Sequence, residues 1–115
     1  MKYENLIERL LTAVPQIRPY YEEEIEWLEE DLPHVIFGMV VTPFLIKYTN
    51  EQKDISNLYD FLEDMALSEE KVQEVLVVSV LESLITEREI IETAKSYMGD
   101  LTRKICETTQ KAYGY

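Results

Sequence analysis

The sequence predicts an all-α fold, and three observations carry that expectation. Glycine and proline are scarce, with 3 and 4 copies in 115 residues, too few for a β-rich chain that turns every eight to twelve residues or so. Apolar residues recur at steps of three and four along most of the length, the spacing that gathers them on one face of a helix. The punctuation between those stretches is that of helices: prolines near expected starts, and Ser or Thr ahead of acidic first turns. About seven short helices in antiparallel hairpins are expected, as a compact bundle or a short α-solenoid of HEAT type, over a single domain spanning 1–115.

The first helix places Tyr3, Leu6, Ile7, Leu10, Leu11 and Val14 on one stripe, with Glu4, Glu8 and Arg9 opposite. Pro15 closes it, because the residue before a proline is pushed out of the α region. The second is expected over about 16–31, with Pro19 tolerated in its first turn. Its buried face would be Ile17, Tyr20 or Tyr21, Ile25, Leu28 and Leu32. Glu22, Glu23, Glu24, Glu26, Glu29, Glu30 and Asp31 cover the rest, seven acids in ten residues.

The stretch from Val35 to Ile46 is apolar all round. Its β-branched residues suggest a strand, but a lone strand has nothing to pair with. A central buried helix starting near Pro33 and kinked by Pro43 is the expectation. Ile55, Leu58, Tyr59, Leu62, Met65 and Ala66 form the next stripe. Ser68 is expected to cap a helix over about 69–85, in which Glu82 is the one acid beyond the opening turns, read either as a buried group that ties helices together or as the one solvent-facing position. Thr86-Glu87-Arg88-Glu89 has capping-box spacing ahead of Ile90, Ile91, Ala94, Tyr97 and Met98. Gly99 is expected to end that helix, and Asp100 to cap a last one with Leu101, Ile105 and Ala112 inward.

Charge narrows the partners. Against 11 basic residues stand 23 acidic ones, a net charge of −12. Such a field repels nucleic acid and anionic membranes, and steers in a basic protein. The N-terminus is an amphipathic helix pattern without a secretory leader's order, and the longest apolar stretch is too short to span a bilayer. The expected location is cytoplasmic.

No catalytic set is legible. His34 is the single histidine, so no Ser/His/Asp set assembles without it and no Glu-x-x-His pair exists for a di-metal site. It reads as a capping or packing side chain. Cys106 is alone, without zinc-ligand spacing, and reads as a small buried hydrophobe. No glycine-rich phosphate loop is present. The expectation is a non-enzymatic chain without cofactor or metal, which binds protein through Glu22, Glu23, Glu26, Glu29, Glu30 and Asp31, with Trp27 either as an exposed anchor or packed between helices beside Leu28.

Two segments carry a resemblance: Leu32-Pro33-His34-Val35-Ile36-Phe37-Gly38, and Val72-Gln73-Glu74-Val75-Leu76-Val77-Val78-Ser79-Val80-Leu81-Glu82. With them the chain resembles, from about Tyr20 to Leu84, a family of small, acidic, all-helical bacterial proteins found near polymorphic-toxin genes and taken to be immunity proteins. Where that family often has Gly-Asp after the L-P-H stretch, this chain has Gly38-Met39. The resemblance implies an immunity or antitoxin function against a basic toxin domain, such as a nuclease. The alternative is a structural or adaptor domain that docks another helical protein, or its own copy as a homo-oligomer, through an apolar face such as Val35 to Ile46.

Overall fold

Seven helices follow one another in a computed structural model that describes residues 1–28 and 32–115. A 3₁₀ turn, Tyr3–Asn5, leads into α1 (Leu6–Ala13), whose Leu6, Leu10 and Leu11 are buried. Val14 leaves the helical region ahead of Pro15 (φ −127°, ψ 69°), the steric effect a following proline imposes. A second 3₁₀ turn, Pro15–Ile17, opens α2 (Arg18–Ile25). This helix stops short of the Asp31 expected from the sequence: the amides of Trp27 and Leu28 both donate to the Glu24 carbonyl and turn the chain away. Clustered carboxylates at the negative end of the helix dipole give a physical reason for the early stop. Ile17 is buried, and Tyr21, Ile25 and Leu28 pack partly against the core, but Leu32 is exposed rather than inward.

The apolar stretch forms one helix, α3, over residues 33–50. It is α-helical at Pro33–Ile36, π-helical at Phe37–Val41, and α-helical again at Thr42–Asn50. The Thr42 amide donates to the Phe37 carbonyl five residues back. This widened turn precedes Pro43, which has no amide to give and crowds the carbonyl one α-turn behind it. Burial does not extend all round, as the sequence suggested: Gly38, Met39, Pro43 and Lys47 face outward.

After a turn comes α4 (Ser56–Ala66), with Leu58, Tyr59, Phe61, Leu62, Met65 and Ala66 buried. Helix α5, over residues 70–84, repeats the pattern of α3, with a π stretch at Leu76–Leu81 between α segments Glu70–Val75 and Glu82–Leu84. Its start differs from the sequence expectation. Glu69, not Ser68, holds the extended N-cap position, and the Ser68 hydroxyl bonds back to the Asp64 carbonyl at the end of α4. Likewise Thr86 forms no capping box: its hydroxyl donates to the Ser83 carbonyl, and Ile90 is the residue ahead of α6 (Ile91–Tyr97).

Gly99 ends nothing in a left-handed turn. It is the extended N-cap of α7 (Asp100–Ala112), with φ −67° and ψ 168°, a conformation open to any residue. Space, not backbone freedom, is what requires glycine here, because a Cβ would lie 2.4 Å from Glu63 Cδ. The deepest positions of α7 are Thr102, Cys106 and Thr109, while Leu101 and Ile105 are only partly covered and Ala112 is exposed. Both threonine hydroxyls are satisfied, by Glu63 and by the Ile105 carbonyl, which is what lets them sit in the core.

The π stretches of α3 and α5 pack on one another at the centre. Two polar ties cross that contact: the Thr42 hydroxyl donates to the Ser79 carbonyl (2.7 Å), and His34 Nδ1 lies 2.9 Å from Ser79 Oγ. Around them one continuous core runs from Leu6 to Cys106, and Phe37 stacks on Phe61 of α4. A fully buried Leu or Phe contributes about 1.5–3 kcal/mol relative to exposure. The radius of gyration, 13.2 Å, is the value expected of one packed body of this length. The result is an all-α bundle.

Candidate functional site

The residues singled out by charge lie at the C-terminal end of α2. This helix buries none of its own residues and rests on the body through Tyr21 and Ile25. Glu22, Glu23 and Glu26 are exposed and Glu24 is half-buried. Glu22 meets Arg18 at 3.8 Å one turn back. Among the described residues Glu23, Glu24 and Glu26 form no ion pair. Each carboxylate in a helix's last turn opposes the dipole, at a cost of about 0.3–1 kcal/mol at low ionic strength. Stability therefore does not account for the cluster.

Trp27 follows directly and is 82 % exposed, the most exposed of the large apolar side chains described. The sequence left open whether it packs between helices beside Leu28; it does not. Leu28 turns inward while the indole stands in solvent. Glu29, Glu30 and Asp31, the remaining members of the expected set, lie outside the described residues. Exposed carboxylates also occur on α1, α4, α5, α6 and α7, as at Glu8, Asp60, Glu74, Glu92 and Glu107. The negative charge is thus spread over the surface, and its densest described point is Glu22 to Glu26.

Beside this cluster lies a cleft of about 270 Å³ between α2 and the outer face of α3, lined by Tyr20, Glu23, Glu24, Met39, Val40, Pro43, Phe44, Lys47 and Tyr48. Tyr20 meets Phe44 and Tyr48 edge to face, with centroids 5.4 and 6.2 Å apart, and Phe44 meets Tyr48 at 4.2 Å. The Tyr20 and Tyr48 hydroxyls are hydrogen-bonded, and that bond, with burial, raises the Tyr48 pKa. Sequence reasoning missed these residues because it took α3 as buried all round. The signal was there: Met39, Pro43 and Lys47 recur at four-residue steps, as do Phe44 and Tyr48.

Other polar groups have structural roles. Burial alone would raise the Glu63 carboxyl, but the Thr102 hydroxyl, the amides of Thr102 and Leu101, and the Arg103 charge together hold it below its ordinary value. Arg103 closes the end of α6 through the Lys95 and Met98 carbonyls. Glu82 is half-buried and faces the Tyr113 hydroxyl, whose pKa it raises. Burial pushes the Cys106 thiol up to about 11, which leaves it protonated and inert near neutrality. Among the described residues no group of three or more His, Cys, Asp or Glu is arranged to hold a metal ion. Nor is any described helix long and apolar enough to cross a membrane.

No curated protein and no solved structure matches the chain. The profile of one family, a domain of unknown function, matches residues 7–114. By that match over nearly its whole length, the chain belongs to the DUF7674 family.

Proposed function

We propose that this protein is a protein-binding module of immunity or antitoxin type, which covers a basic partner such as a toxin domain in a bacterial cytoplasm. The observation that carries the reading is Trp27, 82 % exposed beside Glu22, Glu23, Glu24 and Glu26. Tryptophan is the residue most enriched at interface hot spots, where burial of the ring supplies much of the binding energy. Carboxylates around it steer a cationic surface into place and make association fast and salt-dependent. Their position against the helix dipole has no stabilising purpose, which supports a role outside the fold. The apolar-face alternative finds less support, since Met39 is the one large apolar side chain of α3 among those exposed.

The test is capture at low salt from a lysate of the source organism, followed by elution with rising salt. One basic protein should be retained and then released as salt increases. The triple variant Glu22→Lys/Glu23→Lys/Glu26→Lys should slow its association about tenfold or more at low salt. Trp27→Ala should instead speed dissociation. Equal capture by the charge-reversed variant, or recovery of only a salt-resistant apolar partner, would overturn the reading.

A further inference from the structure

The cleft between α2 and α3 carries an inference that rests on this reading and sharpens it. We infer that it seats one arginine side chain of the basic partner, between the Tyr20–Phe44–Tyr48 rings and the carboxylates of Glu23 and Glu24.

Size comes first. At about 270 Å³ the cleft falls below the roughly 300–1,000 Å³ of a small-molecule site, and suits a single side chain. Its chemistry is aromatic on one side and anionic on the other. Aromatic faces attract cations through their quadrupole, and among side chains the planar guanidinium both stacks on a ring and forks to a carboxylate. The rings are fixed in advance. Tyr20 is held to Tyr48 through their hydroxyls, and both pack edge to face on Phe44, itself in the core. Little ordering entropy remains to be lost on binding.

A second observation points to a cation independently of the acids. The Lys47 ammonium already stands 5.7 Å from the Tyr48 ring centroid, so this ring face holds a positive charge in the free protein. Lys47 is exposed and can swing away, and an incoming guanidinium displaces it. Part of the cleft wall, Met39 and Val40, belongs to the π turn, where Met39 stands out half-exposed. Methionine is a side chain that moulds itself to what it contacts, and π turns occur often at functional sites.

The test is a titration with N-acetyl-arginine-N-methylamide at low salt, followed by the methionine methyl and tyrosine ring signals in NMR. Met39 should shift saturably together with Tyr20 and Tyr48, while buried Met65 and Met98 stay fixed. Lys47→Met removes the internal competitor and should tighten binding of the probe about two- to fivefold, the worth of one exposed cation–π contact. Glu23→Gln/Glu24→Gln should weaken it by at least as much. All three substitutions lie at exposed or half-buried positions, so the fold is retained. Shifts that do not saturate, or that are equal in wild type and both variants, would overturn the inference. If the probe fails here while charge reversal still slows the partner, the cleft falls and the docking surface stands. If the probe seats here while charge reversal leaves capture unchanged, the docking reading falls and a guanidinium site remains.

Discussion

Helix α7 begins with a cap borrowed from another helix, and that can be tested quantitatively. Gly99 has no side chain to satisfy the first amides, and Glu63 reaches across from α4 to do so, with bonds of 3.1 Å to the Leu101 amide, 2.8 Å to the Thr102 amide and 2.7 Å to the Thr102 hydroxyl. Losing an ordinary N-cap costs about 0.5–2 kcal/mol. A carboxylate serving two amides at the positive end of the dipole belongs at the top of that range, so Glu63→Ala should cost about 2 kcal/mol. For a chain of this size that lowers Tm by about 8 °C. Gly99→Ala should cost nearly as much, because its Cβ evicts the Glu63 carboxylate. The two losses are one loss, so the double variant should be only slightly worse than either single one. Replacing Gly99 by Ser in the Glu63→Ala background should recover about 1 kcal/mol by supplying a local cap. Urea unfolding of the four members of the cycle measures the coupling. Additive costs would refute the reasoning. The sign of the pH effect follows from the lowered Glu63 pKa. The cap's contribution is fully present above the unfolded value, about 4.3, and is lost as pH falls through the lower folded value. The gap between wild type and Glu63→Ala should therefore hold at neutral pH and close only in acid.

Four further outcomes are expected. Tyr59 is buried, bonded to Thr49 at 2.6 Å, and pushed up to about 12 by burial. In an ultraviolet titration of the folded protein the Tyr59 phenol should thus ionise late, and stability should fall as pH rises from about 10 towards that value, since only the unfolded chain releases the proton early. Thr49→Val should cost about 1–3 kcal/mol in denaturant unfolding, by leaving the Tyr59 hydroxyl without its partner; an unchanged midpoint would place that hydroxyl in water. The Cys106 thiol should resist a disulfide reagent at mildly alkaline pH until denaturant is added, and prompt reaction in buffer would contradict its burial. Trp27→Ala should leave the unfolding midpoint within about 0.5 kcal/mol of wild type, and indole fluorescence should be that of a hydrated ring, open to acrylamide quenching.

Where the sequence was legible, one physical signal dominated. The stripe of Leu6, Leu10 and Leu11 and that of Leu58, Leu62 and Met65 were plain because an amphipathic pattern has only one way to face a core. The helix ends were poorly legible. Ser68 and Thr86 have the composition of N-caps and bond elsewhere, while Gly99, expected to end one helix, is instead the N-cap of the next. The groups that satisfy such ends can arrive from anywhere in the chain, as Glu63 does from thirty-odd positions away. Of the candidate site, Glu22, Glu23, Glu26 and Trp27 were readable because charge density survives folding as a local property. The cleft beside them was not, since it depends on α2 lying against α3, and no pattern within either helix encodes that distance.

The two π turns have a consequence for how this chain can change length. Buried positions in α3 fall in pairs, Ile36–Phe37, Val40–Val41 and Phe44–Leu45, and α5 repeats the step with Val72, Leu76, Val80 and Leu84. A regular helix advances about 400° in four residues, so a four-residue step would drift by about 40° each time and carry the last pair off the core. The wider turns cancel that drift. Removing one residue from either π turn and restoring regular winding would rotate everything beyond it by only about 20°, because seven regular residues advance about 700° where two four-residue steps with the drift cancelled advance two full turns, so Phe44 and Leu45, or Leu84, would still face the core. Homologous chains can therefore differ by one residue at either turn, regular α-helix where it is missing, and keep the residues beyond it on the core face.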